Sequence, residues 1–205
     1  MDIETFEENG ILYLKDITNN SKPICIDFST YIIDNKPLLK ACGVNNKNKI
    51  KILDCTAGLA KDTFALAYHN SAVISIEKNK IIFDLIENAV KRGINNSYIK
   101  DILDRITFLN MDSVDFLENT KEIFDCIYLD PMFEESKKSR LVKKNMQIFH
   151  KLTDNSDNKK LFNLALEKVN KRVVVKRALY GDFLVDRKPS FQVKEKTVRF
   201  DVYLK

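Results

Sequence analysis

The chain has 205 residues, 44% of them hydrophobic, which suffices for one domain with a full core and no disulfide or metal support. Its formal net charge of +5 favours a polyanionic partner such as nucleic acid without proving one. The four cysteines match neither a zinc cluster nor a CxxC redox pair, no signal peptide is recognisable, and no apolar run reaches the roughly 18 residues of a membrane span. His69 and His150 are too isolated to form a metal site. We therefore expect a soluble cytoplasmic protein without a metal, and the oligomeric state stays open.

The N-terminal segment has the apolar alternation of a small β-hairpin. Ile11–Leu14 and Ile24–Phe28 are the expected strands, with the turn at Asn19, Asn20 and Ser21. The polar run Asn45–Asn48 is expected to link this hairpin to the core. The predicted organisation is an appendage and linker over residues 1–48 and a main domain over residues 49–205.

From Lys49 onward, short apolar strands alternate with helical stretches, which predicts a mostly parallel sheet covered on both faces. The predicted strands are Ile50–Asp54, Ala72–Ile76, Ile106–Asn110, Cys126–Asp130 and Arg172–Lys176. The predicted helices are Lys61–His69, Lys80–Arg92, Val114–Thr120 and Leu161–Val169, with Gly93 as the C-cap of the second. After Pro189, the segments Phe191–Lys196 and Val198–Leu204 predict a terminal hairpin, so one late strand should run antiparallel to the others.

A turn of small residues follows the first predicted strand and includes Gly58, which lets the backbone approach a ligand. A single glycine satisfies neither the dinucleotide fingerprint nor the phosphate-loop pattern, so an ordinary tight turn is an open alternative. Glu77 follows the next strand, where a carboxylate can accept both ribose hydroxyls, although nicotinamide enzymes use the same device. Asp112 and Ser113 follow the third strand and can bind an adenine amine, cap the next helix, or do both. Together these strand ends predict a site for an adenosine-containing cofactor.

The fourth strand ends in Asp130-Pro131-Met132-Phe133, which resembles the Asp/Asn-Pro-Pro-aromatic motif of methyltransferases that act on exocyclic amines. The lone pair of an aromatic amine is delocalised into the ring, so the amine must be steered towards a methyl donor. Asp130 and the Pro131 carbonyl can accept its two N–H bonds, and the base can stack on Phe133. An ordinary Asp-Pro turn after a buried strand is the alternative.

Four segments resemble the RsmJ family of 16S rRNA guanine-N2 methyltransferases. They are Leu53–Asp62, Tyr128–Phe133, Lys138–Lys144 and Arg172–Arg177. The resemblance implies a class I, Rossmann-like α/β fold that uses S-adenosylmethionine to methylate the 2-amino group of a guanosine near the 3′ end of 16S rRNA. It also implies cofactor contacts, and with the strand-end residues the expected set is Asp54, Gly58, Lys61, Asp62, Glu77, Lys78, Asp112, Ser113 and Asp130. Ala60 departs from the family, which usually has glycine there.

A basic segment follows the reaction centre, with Met146 and Phe149 interleaved at near-helical spacing. We expect its cations, together with two at the end of the fifth strand, to bind RNA phosphates beside the flipped target base. The expected RNA-binding residues are Lys137, Lys138, Arg140, Lys143, Lys144, Lys176 and Arg177. A solvated basic helix face with both apolar side chains turned inward is the alternative.

Three other functions remain open at this point. A nicotinamide-dependent oxidoreductase fits Gly58 and Glu77 but leaves Asp130-Pro131-Met132-Phe133 unexplained. A non-catalytic RNA-binding or ribosome-assembly module tolerates a departure such as Ala60 better than an enzyme does. An amino-methyltransferase acting on another nucleic acid or on a protein differs only in its substrate. The expected partner is 16S rRNA or the small ribosomal subunit.

Overall fold

The computed structural model describes residues 3–18, 22–45, 47–131 and 158–205. Its N-terminal segment is an antiparallel hairpin in which β1 (Ile3–Glu8) pairs with β2 (Ile11–Asp16). A hairpin and the expected strand Ile11–Leu14, which lies within β2, are therefore confirmed, but the expected partner strand Ile24–Phe28 and its turn were wrong. The turn is Asn9-Gly10, both with positive φ, as a two-residue type I′ turn requires. Ile24 forms only a single bridge to Leu14, after which Asp27 accepts a hydrogen bond from the Ser29 N–H and begins a 3-10 turn instead of a longer strand.

The main sheet contains seven strands within the described residues and has the order β5-β4-β3-β6-β7-β9-β8. These strands are β3 (Lys51–Asp54), β4 (Ala72–Ile76), β5 (Ile106–Leu109), β6 (Phe124–Leu129), β7 (Val169–Ala178), β8 (Phe191–Lys194) and β9 (Val198–Leu204). Strands β3 to β7 are parallel, and β9 runs antiparallel to both of its neighbours. The predicted sheet and its late antiparallel strand are confirmed. The winding direction changes between β3 and β6, and ligands of such sheets bind at the carboxyl ends of the strands beside this point.

Six α-helices connect the strands in the described segments. They are α1 (Lys36–Cys42), α2 (Lys61–Tyr68), α3 (Lys80–Gly93), α4 (Ser97–Leu103), α5 (Ser113–Asn119) and α6 (Asn158–Lys168). The sequence predicted α2, α3, α5 and α6 to within about three residues, but it missed the two seven-residue helices α1 and α4. No helix in these segments is long and apolar enough to cross a membrane.

Gly93 does not have the C-cap role that the sequence suggested. The helix continues through it, and the cap is Ile94 in right-handed helical conformation. A Cβ on Gly93 would lie 2.9 Å from Leu103 Cδ1 and 3.0 Å from Ile99 Cγ2, so the absence of a side chain lets α4 pack closely against the end of α3. The glycine is thus explained by close packing of two helices and not by a left-handed turn.

The hydrophobic core has two parts, one on each face of the sheet, because successive strand residues point to opposite faces. Ile52 and Tyr128 belong to the part that also contains Ile26, Phe28 and Leu38 from the N-terminal segment. The second part lies under α5 and α6, and its members include Leu53, Ile127, Phe162 and Val173. Cys55 and Cys126 are buried and reduced, as expected for small side chains in or beside core strands. The strands β3, β4 and β6 are therefore packed against hydrophobic core on both faces of the sheet.

Candidate active site

The carboxyl edge of the parallel sheet gathers the polar residues that end five strands. Register places Asp54 opposite Ser75 and Tyr128, Ile76 opposite Leu109, and Leu129 opposite Val175. The side chains that follow these positions are Asp54 of β3, Glu77 after β4, Asp112 after β5, Asp130 after β6 and Lys176 of β7. Residues far apart in the chain thus line one edge.

Asp54 is only 1% exposed and organises the turn that follows β3. Its Oδ1 accepts a hydrogen bond from the Thr56 N–H (3.0 Å), and its Oδ2 accepts one from Thr63 Oγ1 (2.6 Å). Burial raises the pKa of the Asp54 carboxyl to about 7, the two hydrogen bonds oppose this rise, and the nearby carboxylates Asp62 and Asp130 add to it. Asp54 therefore changes charge near neutral pH.

Glu77 connects the end of β4 to the same turn. Its Oε2 accepts a hydrogen bond from the Gly58 N–H (2.9 Å), and its Oε1 accepts one from the Asn79 N–H (2.8 Å). Burial raises the pKa of Glu77, and these backbone donors oppose the rise. Each carboxylate oxygen keeps a second lone pair that a ligand hydroxyl can use.

Gly58 has a φ of 51°, and a Cβ placed on it would come no closer to its surroundings than 3.9 Å, to the Thr56 carbonyl oxygen. The space in front of this backbone is therefore open to a ligand. Ala60 also has a left-handed backbone, with a φ of 58°, which explains why glycine is the usual residue at that position. A side chain in this conformation costs about 1–2 kcal/mol.

Asp112 and Ser113 both interact with the protein itself at the end of β5. Asp112 Oδ1 accepts a hydrogen bond from the Val114 N–H (2.7 Å) and caps α5, while its Oδ2 lies 3.0 Å from Lys78 Nζ. Burial would raise the pKa of Asp112, but the Lys78 ammonium and the backbone N–H bring it below the ordinary value. Ser113 Oγ donates to the Cys55 carbonyl oxygen (2.7 Å) and so joins the β5 end to the turn after β3.

A network of hydrogen bonds surrounds Asp130. Its N–H donates to Thr56 Oγ1 (2.7 Å), and its Oδ2 lies 2.8 Å from Lys176 Nζ. The same ammonium lies 2.8 Å from Asp62 Oδ2, which also accepts a hydrogen bond from the Tyr128 hydroxyl (2.6 Å). One cation therefore holds together two carboxylates that come from a helix start and a strand end.

The charges in this network depend on one another. Burial raises the pKa of Asp130, the Lys176 ammonium opposes that rise, and the Asp62 carboxylate adds to it. Burial alone would lower the pKa of Lys176, but Asp130 and Asp62 together outweigh it, so the pKa of this ammonium is raised. Lys176 is therefore a fixed positive charge that favours the ionised form of Asp130.

Several predicted site residues lie outside the described part of the chain. These are Phe133 and the basic residues Lys137, Lys138, Arg140, Lys143 and Lys144. Pro131 is described and buried. Lys61 begins α2 with its ammonium 5.9 Å from the centre of the Tyr31 ring, and Arg177 Nε donates to the Asp182 carbonyl oxygen (2.7 Å). Lys176, which we grouped with the RNA-binding cations, has its described contacts with the two carboxylates of the site.

The sequence reading missed Thr56 and Tyr128, which complete the network around Asp130. A signal was present for each of them. Thr56 comes two residues after Asp54 in a turn where a hydroxyl can bind nearby backbone. Tyr128 precedes Asp130 by two residues, so both side chains point to one face of the sheet.

Comparison with known proteins identifies the family. A family model described as "Putative SAM-dependent methyltransferase" matches residues 7–205. Ribosomal RNA small subunit methyltransferase J of Francisella tularensis is 38% identical, with 99% of this chain and 90% of that protein covered. The protein of the same name from Francisella philomiragia is 39% identical, with 97% and 86% covered. The chain belongs to the RsmJ family of S-adenosylmethionine-dependent methyltransferases.

A solved structure supports the same assignment. The crystal structure of an S-adenosylmethionine-dependent methyltransferase from Neisseria gonorrhoeae is 28% identical, covers 98% of this chain and 81% of its own, and has a TM-score of 0.74. The class I fold that the sequence predicted is confirmed. The residues at the carboxyl edge fit the family's cofactor, because the Gly58 backbone is open to a ligand and both oxygens of the adjacent Glu77 carboxylate can accept a further hydrogen bond from a hydroxyl.

Proposed function

We propose that this RsmJ-family chain transfers a methyl group to the exocyclic N2 of a guanosine near the 3′ end of 16S rRNA. The observation that carries the proposal is the fixed position of Asp130 at the end of β6, held by Lys176 and by Thr56. The names of the relatives support ribosomal RNA of the small subunit as the substrate. The resemblance of Asp130-Pro131-Met132-Phe133 to amine-methylating centres supports an amine as the acceptor.

Asp130 and Pro131 orient the amine in this proposal. Lys176 binds Oδ2 of Asp130, so we assign Oδ1 and the Pro131 carbonyl oxygen to accept the two N–H bonds of the guanine amine. These two acceptors direct the nitrogen lone pair at the reacting methyl group, and such orientation supplies a large share of the rate. Phe133 offers a face for stacking of the base, which is worth ~1–3 kcal/mol.

The residues of the other strand ends hold the cofactor. Glu77 accepts the ribose hydroxyls, Asp112 and Ser113 meet the adenine, and the open backbone at Gly58 lets the cofactor approach closely. The remaining members of the proposed set are Asp54, Lys61, Asp62 and Lys78. The bound cofactor supplies the electrophilic methyl group. The protein contributes the orientation of the amine and the charges around the reacting groups.

Lys176 is a positioning residue in this mechanism, because it acts through Asp130 and Asp62. Its ammonium favours the ionised form of Asp130 and offsets the repulsion between the two close carboxylates. Binding of RNA phosphates is assigned to Arg177 and to the basic residues Lys137, Lys138, Arg140, Lys143 and Lys144.

Mass-spectrometric mapping of N2-methylguanosine in 16S rRNA tests the function, with cells that have the gene compared with cells that lack it. We expect one modified guanosine near the 3′ end to disappear and to return when the gene is restored. Restoration with Asp130→Ala should leave the site unmethylated while the purified variant still folds. An unchanged map would refute the assigned substrate, and full activity of Asp130→Ala would refute the assigned centre.

Calorimetric titration with S-adenosylmethionine separates the alternatives. Absence of binding would contradict the assigned cofactor. Binding without methyl transfer to RNA would favour an assembly module, and transfer to DNA or a protein would identify another acceptor.

A further inference from the structure

Tyr180 lies just beyond the end of β7 and is 95% exposed, more than any other large hydrophobic side chain in the described residues. Single exposed aromatic side chains are common on protein surfaces, so the exposure alone indicates nothing. The backbone beneath Tyr180 is the unusual feature, because a buried charged pair holds it in place.

Arg199 and Asp201 of β9 form this pair and are 5% and 0% exposed. Two parallel hydrogen bonds join them, Nε to Oδ1 at 2.9 Å and Nη2 to Oδ2 at 3.1 Å. The remaining nitrogen, Nη1, donates to the carbonyl oxygens on both sides of Tyr180. These belong to Ala178 (2.9 Å), Leu179 (2.9 Å) and Gly181 (2.7 Å).

Further contacts fix the same turn. The Leu179 N–H donates to the Thr197 carbonyl oxygen (2.9 Å), and the Gly181 N–H donates to Ala178 (3.0 Å). The Phe183 ring covers the guanidinium of Arg199 at 5.1 Å. Burying an ion pair is costly, so its use on three carbonyls of one turn indicates that the geometry of this turn matters. Because the backbone of the turn is already held in place, binding of a partner to the ring requires no ordering of this loop.

The turn is also close to the reaction centre. Tyr180 follows Lys176 by four residues, and four extended residues span at most about 14 Å. Lys176 itself contacts Asp130 at 2.8 Å. Lys176 is paired with Asp130 and Asp62, and the following residues 177–188 contain three basic residues and two acidic ones, a small positive excess that is compatible with a polyanion.

We propose that Tyr180 is a stacking platform for an unpaired base of the substrate RNA that neighbours the methylated nucleotide. The proposal rests on the function proposed above. Proteins recognise single-stranded RNA largely by stacking splayed bases on aromatic side chains, and each such contact is worth ~1–3 kcal/mol. The fixed backbone of the turn, the exposed ring and the small positive excess nearby suit this contact.

The test compares variants of Tyr180 in binding to, and methylation of, a 16S rRNA fragment that contains the target guanosine and its neighbours. Tyr180→Ala should weaken RNA binding about 5- to 150-fold, while Tyr180→Phe stays close to wild type because stacking needs the ring and not the hydroxyl. The RNA affinity of Tyr180→Leu should be close to that of Tyr180→Ala. Tyr98→Ala is the matched control, because Tyr98 is half-exposed on α4, at the opposite end of the sheet. Affinity for S-adenosylmethionine should not change in any variant, and the melting temperature should not change in the Tyr180 variants.

Removal of single bases from the RNA gives an independent readout. At one abasic position beside the target, wild-type affinity should fall to that of Tyr180→Ala, and the variant should lose nothing further there. Equal RNA affinity of Tyr180→Ala and wild type would overturn the proposal. Equal RNA affinities of Tyr180→Leu and Tyr180→Phe would also overturn it. A defect of Tyr180→Ala seen only on assembled particles would assign the ring to a protein and also overturn it. Wild-type protein that methylates neither the fragment nor small ribosomal subunits that lack the modification would instead refute the proposed function.

Discussion

Lys176 shows how a residue's role follows from its partners more than from its charge. In the sequence it stands beside Arg177 and resembles part of a basic track. In the structure its ammonium lies 2.8 Å from both Asp130 and Asp62, inside the site. Sequence reasoning found Glu77, Asp112 and Asp130 because each follows an apolar strand at one predicted edge. It could not find the Lys176 contact, which depends on the pairing of β6 with β7.

Lys176→Met should reduce methyl transfer at neutral pH by about 10²-fold, because Asp130 loses the contact that fixes its position. The ammonium now opposes the effect of burial on Asp130, so its removal raises the pKa of that carboxyl. The acidic limb of the kcat/KM profile should therefore move to higher pH. Steady-state kinetics across the pH range measure both effects.

Lys176→Arg provides the control for that prediction, because it retains the positive charge. The acidic limb of its kcat/KM profile should stay near that of wild type, even if its rate of methyl transfer falls. A Lys176→Met enzyme that melts at a lower temperature but keeps the wild-type pH profile would show that the lysine is only structural.

The helices and strands differ in how well local signals predict them. Long periodic elements such as α3 and β9 were predicted almost to the residue, since burial of one face or both imposes a clear pattern. The helices α1 and α4 have only seven residues, too few for a periodic pattern. Their caps were the available signal, with Asn35 before α1, Asn96 before α4 and Gly43 in left-handed conformation after α1. The hairpin was misassigned because the Asn9-Gly10 turn was overlooked.

Asn79 is the cap on which α3 depends. Its side-chain oxygen accepts hydrogen bonds from the N–H groups of Ile81 (2.9 Å) and Ile82 (3.2 Å). Asn79→Ala should lower the free energy of unfolding by about 1 kcal/mol, whereas Asn79→Asp should retain it because a carboxylate also caps and favours the helix N-terminus. Denaturant unfolding measures the difference. Equal stability of the alanine and aspartate variants would contradict this account.

The distribution of charge over the whole molecule gives a prediction for RNA binding. If Lys143 and Lys144 contact phosphates, replacing both with glutamine should weaken RNA binding and reduce the slope of affinity against salt by about 2. Affinity for S-adenosylmethionine should stay the same. Lys47 and Lys49 precede β3 at the opposite edge of the sheet, so their double replacement is the control with equal loss of charge. An unchanged slope in the Lys143 and Lys144 variant would exclude this segment from the RNA site.

The buried carboxylates also affect the stability of the whole domain. Burial raises the pKa of Asp54 from an ordinary 3.8 to about 7, so the folded protein holds this proton more tightly than the unfolded chain. The free energy of unfolding should therefore fall as pH rises from about 4 to about 7 and then level off, as far as this group is concerned. Asp54→Asn has no charge to bury. It should flatten that fall, so its stability relative to wild type should increase as the pH rises from about 5 to about 8.

Cofactor binding should offset part of the free-energy cost of ionising these buried carboxyls, because a cationic ligand favours the ionised forms of Asp54 and Asp130. Below pH 7, binding of S-adenosylmethionine should release protons, and its affinity should rise between pH 6 and pH 8. Titration calorimetry in buffers of different ionisation enthalpy measures the release directly. In Asp54→Asn the proton release should shrink, even if binding is weaker. Affinity that is constant with pH, with no proton exchange, would mean that the cofactor's charge does not act on these carboxylates.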